Sequence, residues 1–511
     1  MKCAGESTIR KLLILCGISI VLASFFFLPK GFGSWFAQEA SRIYSGERIS
    51  LDSTLTGYIA FLKSVTLITN MNDFRIFNIL AAYGILVSLV CYFVLIRRLH
   101  LLNSISAFPF VILPLVLLSG LLAGYVAVTL PMLLLAFTFI LESSRNPKPR
   151  YVMIWTTMFI AISFVWHSAF GAMFSIVFSF YFLQSLRKKQ VTSTSGIPLA
   201  FALVYFPAHW FFSQTSQTYA LLADATNMDL VRTFVEALRS KGNLALGFSY
   251  HRTGYDLLVT RLYFAAVYLG YIFAVVYALR ASVALAIRRK SVPSQNDQTF
   301  QALVATTLLL ATGVFAAIYF LAARIIAPFL IITFLMPVTF AALASKHGRA
   351  RLGKVAVALT ICLIIIGASN TFVEAKSASE YHTSSDSPQI EAVVIWISES
   401  KQTDSAISVY ADAYTYGNLQ WRYSQLRYFG LELAGGTNYY SIDYNGYIGL
   451  LNGTFYDDSI YVNCVTLYRE HLQYNILSGW SAFEPIPPTM MSDSFMAILD
   501  TGSYQVYVPI A

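Results

Sequence analysis

The chain has 511 residues, of which 57% are hydrophobic and 12% charged, a balance that excludes an ordinary water-soluble enzyme. The formal charge of +9 gives no case for nucleic acid, because it is split. Residues 1–374 carry 30 Lys/Arg against 12 Asp/Glu, whereas residues 375–511 carry 5 against 14.

From the N-terminus, Arg10-Lys11 precedes the apolar run Leu12–Leu28, and no small-residue cleavage site follows. This reads as an uncleaved signal anchor. Eleven apolar runs of roughly bilayer length follow from hydropathy, near 11–29, 76–96, 105–121, 123–141, 151–167, 169–186, 197–213, 262–285, 302–322, 325–344 and 354–373. Six basic clusters fall on one side of them: Arg10-Lys11, Arg97-Arg98, Arg145/Lys148/Arg150, Arg187-Lys188-Lys189, Arg288-Arg289-Lys290 and Lys346/Arg349/Arg351/Lys354. The positive-inside rule makes that side the cytoplasm, with the N-terminus inside and the C-terminus outside.

Two outer loops stand out. In loop 30–75, Trp35 to Tyr44 reads as a helix lying along the interface, and a second apolar helix spans Leu55–Ile68. In loop 214–260, Asn227 is a plausible cap for a helix over Asp229–Ser240. That loop then carries His251-Arg252 toward the next span, and packs against the exterior part or serves a site there. The runs 105–141 and 151–186 are tight hairpins, and Trp166-His167-Ser168 sits at the apex of the second. His167 there is either a hydrogen-bonded helix-end residue or a site residue. Between Gln301–Leu321 and Ile325–Ala344 the turn Ala322-Ala323-Arg324 falls at the outer mouth of a hairpin. Arg324 can snorkel there as a plain anchor or grip a lipid phosphate.

From Ser377 the composition becomes that of a folded exported domain holding half of the chain's 32 tyrosines. Ile390–Ser398 has helical spacing and Ser405–Tyr410 alternates like a strand. Phe495–Leu499 and Tyr504–Pro509 read as a terminal hairpin across Asp500-Thr501-Gly502-Ser503. About 135 residues suffice for one α/β or α+β domain. Asn452-Gly453-Thr454 fits a glycosylation acceptor. The cysteines (Cys3, Cys16, Cys91, Cys362, Cys464) show no metal or disulfide spacing, and only Cys464 lies in this part. The expected fold is thus a polytopic α-helical membrane region, 1–374, with an exported α/β or α+β domain, 375–511.

Three stretches resemble a known family. Arg75-Ile76-Phe77-Asn78-Ile79-Leu80 is like an R-x-x-N-x-L start of the second span. Ala323-Arg324-Ile325-Ile326-Ala327-Pro328 is like an R-Y-x-x-P turn, with isoleucine for tyrosine. Ala392–Ser400 and Ile498–Tyr507 are like the opening and end of an exported domain. Together with the order of spans, they resemble the GT-C superfamily of membrane glycosyltransferases, in its archaeal type with an exported C-terminal domain. The resemblance implies sugar transfer from a polyprenyl-phosphate lipid to a glycan, lipid or protein acceptor at the outer face of the membrane. It also implies an acidic residue in the first outer loop that deprotonates the acceptor or binds a divalent metal ion, and a basic residue that holds the carrier phosphate. Arg324 takes the phosphate role, with His251, Arg252 and His167 as further substrate-binding candidates. The pattern departs from the family at Pro29–Trp35, which has no carboxylate. The nearest acid, Glu39, is the candidate base, and it also lies three residues from Arg42 on one helix, where the two can simply pair. A non-catalytic relative acting as a subunit or binding protein through its exterior domain is the alternative.

Overall fold

The computed structural model describes residues 56–71, 73–99, 101, 108–118, 124–145, 148–165, 167–188, 193–213, 249–250, 254–287, 297–321, 328–347, 351–381, 388–400, 407–428, 437–442, 459–464, 472–473, 495–502 and 504–509. The described residues are mostly helical. In chain order the first helices are α1 (Thr56–Thr69), α2 (Asp73–Arg98), α3 (Phe108–Leu118), α4 (Gly124–Arg145), α5 (Pro149–Val165), α6 (His167–Lys188) and α7 (Ser193–Ser213). After a short strand β1 (Ser249–Tyr250) come α8 (Gly254–Ile287), α9 (Asp297–Leu321), α10 (Pro328–His347) and α11 (Arg351–Tyr381). The C-terminal part consists of α12 (Pro388–Glu399), β2 (Ile407–Asp412), α13 (Ala413–Tyr428), β3 (Thr437–Ile442), β4 (Ser459–Cys464), β5 (Leu472–Gln473), β6 (Phe495–Asp500) and β7 (Tyr504–Pro509).

Each apolar run from 76 onward coincides with a helix, and the first run, 11–29, lies outside the described residues. Three helices contain stretches long and apolar enough to cross a membrane: Ala169–Leu186, Gly254–Ala286 and Leu352–Val373. Shorter apolar stretches lie in α1, α4, α5, α7, α9 and α10. The helices share one apolar core, with Leu95, Phe137, Trp155, Phe180, Leu308 and Phe334 fully enclosed. Many of its buried hydroxyls turn inward on their own helices. Thr138, Ser175, Thr307, Thr312, Thr360 and Thr371 each donate to the carbonyl four residues earlier. That arrangement meets a hydroxyl's need where no water is present. Two glycines allow close approach. A Cβ on Gly57 would lie 2.4 Å from the Phe164 carbonyl oxygen, and one on Gly367 would lie 2.0 Å from a Val116 methyl.

The outward face of α8 is apolar along most of its length. Leu258, Leu262, Leu269, Ile272, Val276, Leu279 and Val283 are all 50–63% exposed, at the three- and four-residue spacing of a single helical face. Large aliphatic side chains pointing away from the core in such a row belong against lipid. Ile272→Arg, near the centre of this helix, is therefore expected to cost about 3 kcal/mol of insertion free energy. Tyr255→Arg, at its end, should cost little because the charge reaches the interface. The yield of monodisperse protein extracted from membranes measures the contrast. Equal yields for both variants would mean that the face does not meet lipid.

The C-terminal part has a second, separate core. Five strands in the order β3-β2-β4-β7-β6 form a mixed sheet. The pairs β2–β3 and β2–β4 are parallel, while β4–β7 and β6–β7 are antiparallel. With α13 between β2 and β3 this is a crossover unit closed by a terminal hairpin, the architecture expected of a small α/β domain. Helices α12 and α13 cover one face through Ile390, Val393, Val394, Ile397 and Leu419, which meet Val409, Ala411, Ile460, Val462 and Val506. Arg422 of α13 donates to the Glu391 carboxylate of α12 and joins the two helices. On the opposite face the register puts Tyr440, Tyr410, Tyr461 and Tyr507 in one row across four strands. The first three rings stack, with centroids 5.2 and 5.6 Å apart.

The hairpin turn explains its own sequence. Gly502 has φ of 81°, a conformation that favours glycine. The Asp500 carboxylate accepts from the Gly502 N–H at 2.7 Å and from the Gln505 amide at 2.9 Å. The Gln505 bond, then the Gly502 bond, holds the Asp500 carboxyl below the usual range. A depressed folded pKa contributes stability above the unfolded value of about 3.9, and that contribution is lost as pH falls through the folded value. The protection of the Gly502 amide, relative to its intrinsic exchange rate, is therefore expected to fall below about pH 4, and Asp500→Asn should flatten that dependence. An unchanged acid response in Asp500→Asn would discount the carboxylate.

A two-residue antiparallel ladder links distant segments, with Ser249 opposite Gln473 and Tyr250 opposite Leu472. It joins the end of the second long loop to the C-terminal part. Of the other loop readings, Leu55–Ile68 matches α1, while the segments at Trp35–Tyr44 and Asp229–Ser240 lie outside the described residues.

Candidate functional site

Helices joined by short connections and packed side by side run antiparallel. The pairs α8–α9, α9–α10 and α10–α11 meet this condition. The start of α8, the end of α9, the start of α10 and the end of α11 therefore share one end of the bundle. Other contacts extend the set. The Tyr263 hydroxyl of α8 donates to the Leu117 carbonyl at 3.3 Å, which brings the end of α3 to the same region. Short connections carry that end to the start of α4, the end of α5 and the start of α6. Arg98 and Glu142 pair at 3.3 Å at the opposite end, closing α2 on α4. That pairing puts the start of α2 at the same end as the start of α4. Gly57 of α1 packs on Phe164 at the end of α5, so α1 reaches from α5 to the start of α2 within this same end.

The sequence candidates relate to this end through their flanking elements. His167 is the first residue of α6, although its side chain lies outside the described residues. His251 and Arg252 follow β1 directly and precede α8, and Arg324 falls between α9 and α10. Together with Glu39, these three lie outside the described residues.

Sequence reasoning missed a residue here, His209, close to the end of α7. Its ring packs against Phe164, Phe170 and Tyr205, with centroids at 5.2, 5.1 and 5.7 Å. Around it Phe159, Phe174 and Phe206 extend an aromatic nest, with Phe174 and Phe206 stacked at 4.0 Å. The nest has a directed polar chain. Ser163 Oγ donates to the Ile160 carbonyl at 2.6 Å, and it has one proton to give. Tyr205, 3.0 Å away, must therefore donate to Ser163. No proton from this pair reaches His209, and its Nδ1 is buried without a hydrogen-bond partner. The signal that could have found it is a single imidazole closing an otherwise apolar run, Leu199–His209.

Among the described residues no group of three or more His, Cys, Asp or Glu is placed to hold a metal ion. The described residues form an α-helical protein with three helices able to cross a membrane, a gathering of helix ends at one end of its bundle, and a small mixed sheet. In comparison with known proteins, no family model matches the chain and no curated protein matches it.

Proposed function

We propose that the chain is a multi-pass membrane glycosyltransferase of the GT-C type. It takes a sugar from a polyprenyl-phosphate donor and passes it to a glycan, lipid or protein acceptor at the outer face of the cell membrane. In this reading about eleven spans run from a cytoplasmic N-terminus to an exported C-terminal domain beginning near residue 375. The two separate apolar cores support that division. The observation that carries the functional reading is the gathering at one end of the helix ends that flank His167, His251, Arg252 and Arg324. A guanidinium at a membrane's rim is the side chain best suited to a phosphate, because its fork makes paired charge-assisted hydrogen bonds. Glu39, in the outer loop that leads to α1, supplies the base, directly or through a divalent metal ion.

A second reading is favoured by one feature. Neither Pro29–Trp35 nor the turn Leu118–Tyr125 holds a carboxylate, and general-base transfer needs one within reach of the acceptor. A non-catalytic subunit on the same scaffold would keep lipid binding and act through its exterior domain. Reconstitution of the full chain in liposomes with a radiolabelled polyprenyl-phosphate sugar separates the two. Transfer or hydrolysis of the label supports the enzyme, binding without turnover supports the subunit, and the absence of both is incompatible with a carrier-lipid protein.

A further inference from the structure

We propose that Arg261 and Arg280 of α8 bind the phosphates of bilayer phospholipids, one in each leaflet, and so fix which part of α8 lies in hydrocarbon. Helix α8 has 34 residues, about 50 Å, whereas a hydrocarbon core is about 30 Å thick. Length and hydropathy leave its depth open, and the two arginines decide it. Both are exposed, and among the described residues neither makes a hydrogen bond or an ion pair. The 18 residues between them, 262–279, carry no charge. Along a straight helix the two Cα atoms are about 28 Å apart, which matches the hydrocarbon core. The exposed apolar row reaches one turn further at each end, to Leu258 and Val283. Its length of about 38 Å still fits within the roughly 40–45 Å that includes the headgroups.

Helix α11, packed beside α8, reports the same boundary. A Cβ on Gly270 would lie 3.1 Å from a Leu363 methyl, and one on Gly367 would lie 3.4 Å from the Tyr263 ring. These two antiparallel contacts place Lys354 within about one turn of the level of Arg280. Lys354 is also exposed and without a hydrogen bond or ion pair among the described residues, and the 19 residues after it, 355–373, again carry no charge. A cation at that depth keeps its charge by reaching the headgroups, where phosphate oxygens accept its N–H bonds. A second copy of the chain packed on this row would instead bury two unpaired guanidiniums, which is costly. Arginines at both ends of one row favour the phospholipids of both leaflets over a single carrier lipid in one.

The test reconstitutes the full chain in phosphatidylcholine–phosphatidylglycerol vesicles of increasing acyl length and measures the folded monomer that survives heating. Survival should peak where the hydrocarbon is about 28 Å thick. Arg280→Leu with Val276→Arg moves the charge one turn inward and should shift that optimum about 6 Å thinner. Arg280→Leu with Val283→Arg moves it outward and should shift the optimum about 4–5 Å thicker. An optimum that neither variant moves overturns the depth assignment. Arg261→Gln and Arg280→Gln, mild changes at exposed positions, should each lose about one phosphatidylglycerol retained in native mass spectrometry. Retention equal to wild type in both overturns the phosphate contact. A dimer that retains no phospholipid assigns the row to a second copy and overturns the whole proposal.

Discussion

Gly57→Ala is expected to destabilise the protein by about 2 kcal/mol, the range of overpacked cores, and to loosen α1 from the bundle. The added methyl would lie 2.4 Å from the Phe164 carbonyl oxygen and 2.8 Å from its carbonyl carbon. Both atoms belong to the backbone of α5, so no rotamer change relieves the contact and one helix must move. The alanine's better helix propensity, worth up to about 1 kcal/mol, opposes the clash without cancelling it. Gly270→Ala is the internal control. Its nearest neighbour, at 2.6 Å, is the Met336 methyl, the far end of a flexible side chain that can swing aside. That variant should remain near wild type. Thermal unfolding in detergent measures both. Similar midpoints for the two variants would mean that the α1–α5 contact does not bear on stability.

Arg324→Ala carries the largest functional effect. In the proposed mechanism the guanidinium neutralises the carrier phosphate as the sugar leaves, and a paired hydrogen-bonded cation acting on developing charge contributes on the order of 100-fold in rate. Sugar transfer should fall by at least about that factor, with protein yield unchanged. Arg324→Lys should recover only part of the loss, since an ammonium keeps the charge without the fork. Full activity in Arg324→Ala would remove the phosphate role. Glu39→Gln offers the complementary pattern, loss of turnover with donor binding retained.

Helices were readable from sequence wherever membrane burial dictates a run of apolar residues. The run 262–285 falls inside α8, but the helix extends to Gly254, where Tyr255 and Asp256 continue it beyond the apolar window. The terminal hairpin was legible because Asp500–Ser503 carries its own turn chemistry, and α12 because Ile390, Val393, Val394 and Ile397 mark one face. Helix α13 was not. Its tyrosines, asparagine and arginines give no apolar stripe, and it folds because Leu419 and Tyr423 meet a sheet assembled from distant segments. The parallel pairing of β2 with β3 and β4 is likewise set by long-range register, which no local pattern encodes. His209 was missed for a related reason. Its meaning comes from Phe164 and Phe170, some forty residues away in the chain, and from a hydroxyl pair whose direction is fixed only when Ser163 and Tyr205 are seen together.

The small ladder of Ser249–Tyr250 with Leu472–Gln473 ties function to the tail in a further way. Two residues per strand make a clasp that opens easily, and the residues next after it on the loop side are His251 and Arg252. Beyond them Gly254, with φ of 58° and nothing near its absent side chain, begins α8. Whatever pulls on the C-terminal part through this clasp therefore also pulls on the chain that enters α8. A chain clipped after Tyr381 would keep α1 to α11 and leave Ser249–Tyr250 without the strand that fastens it.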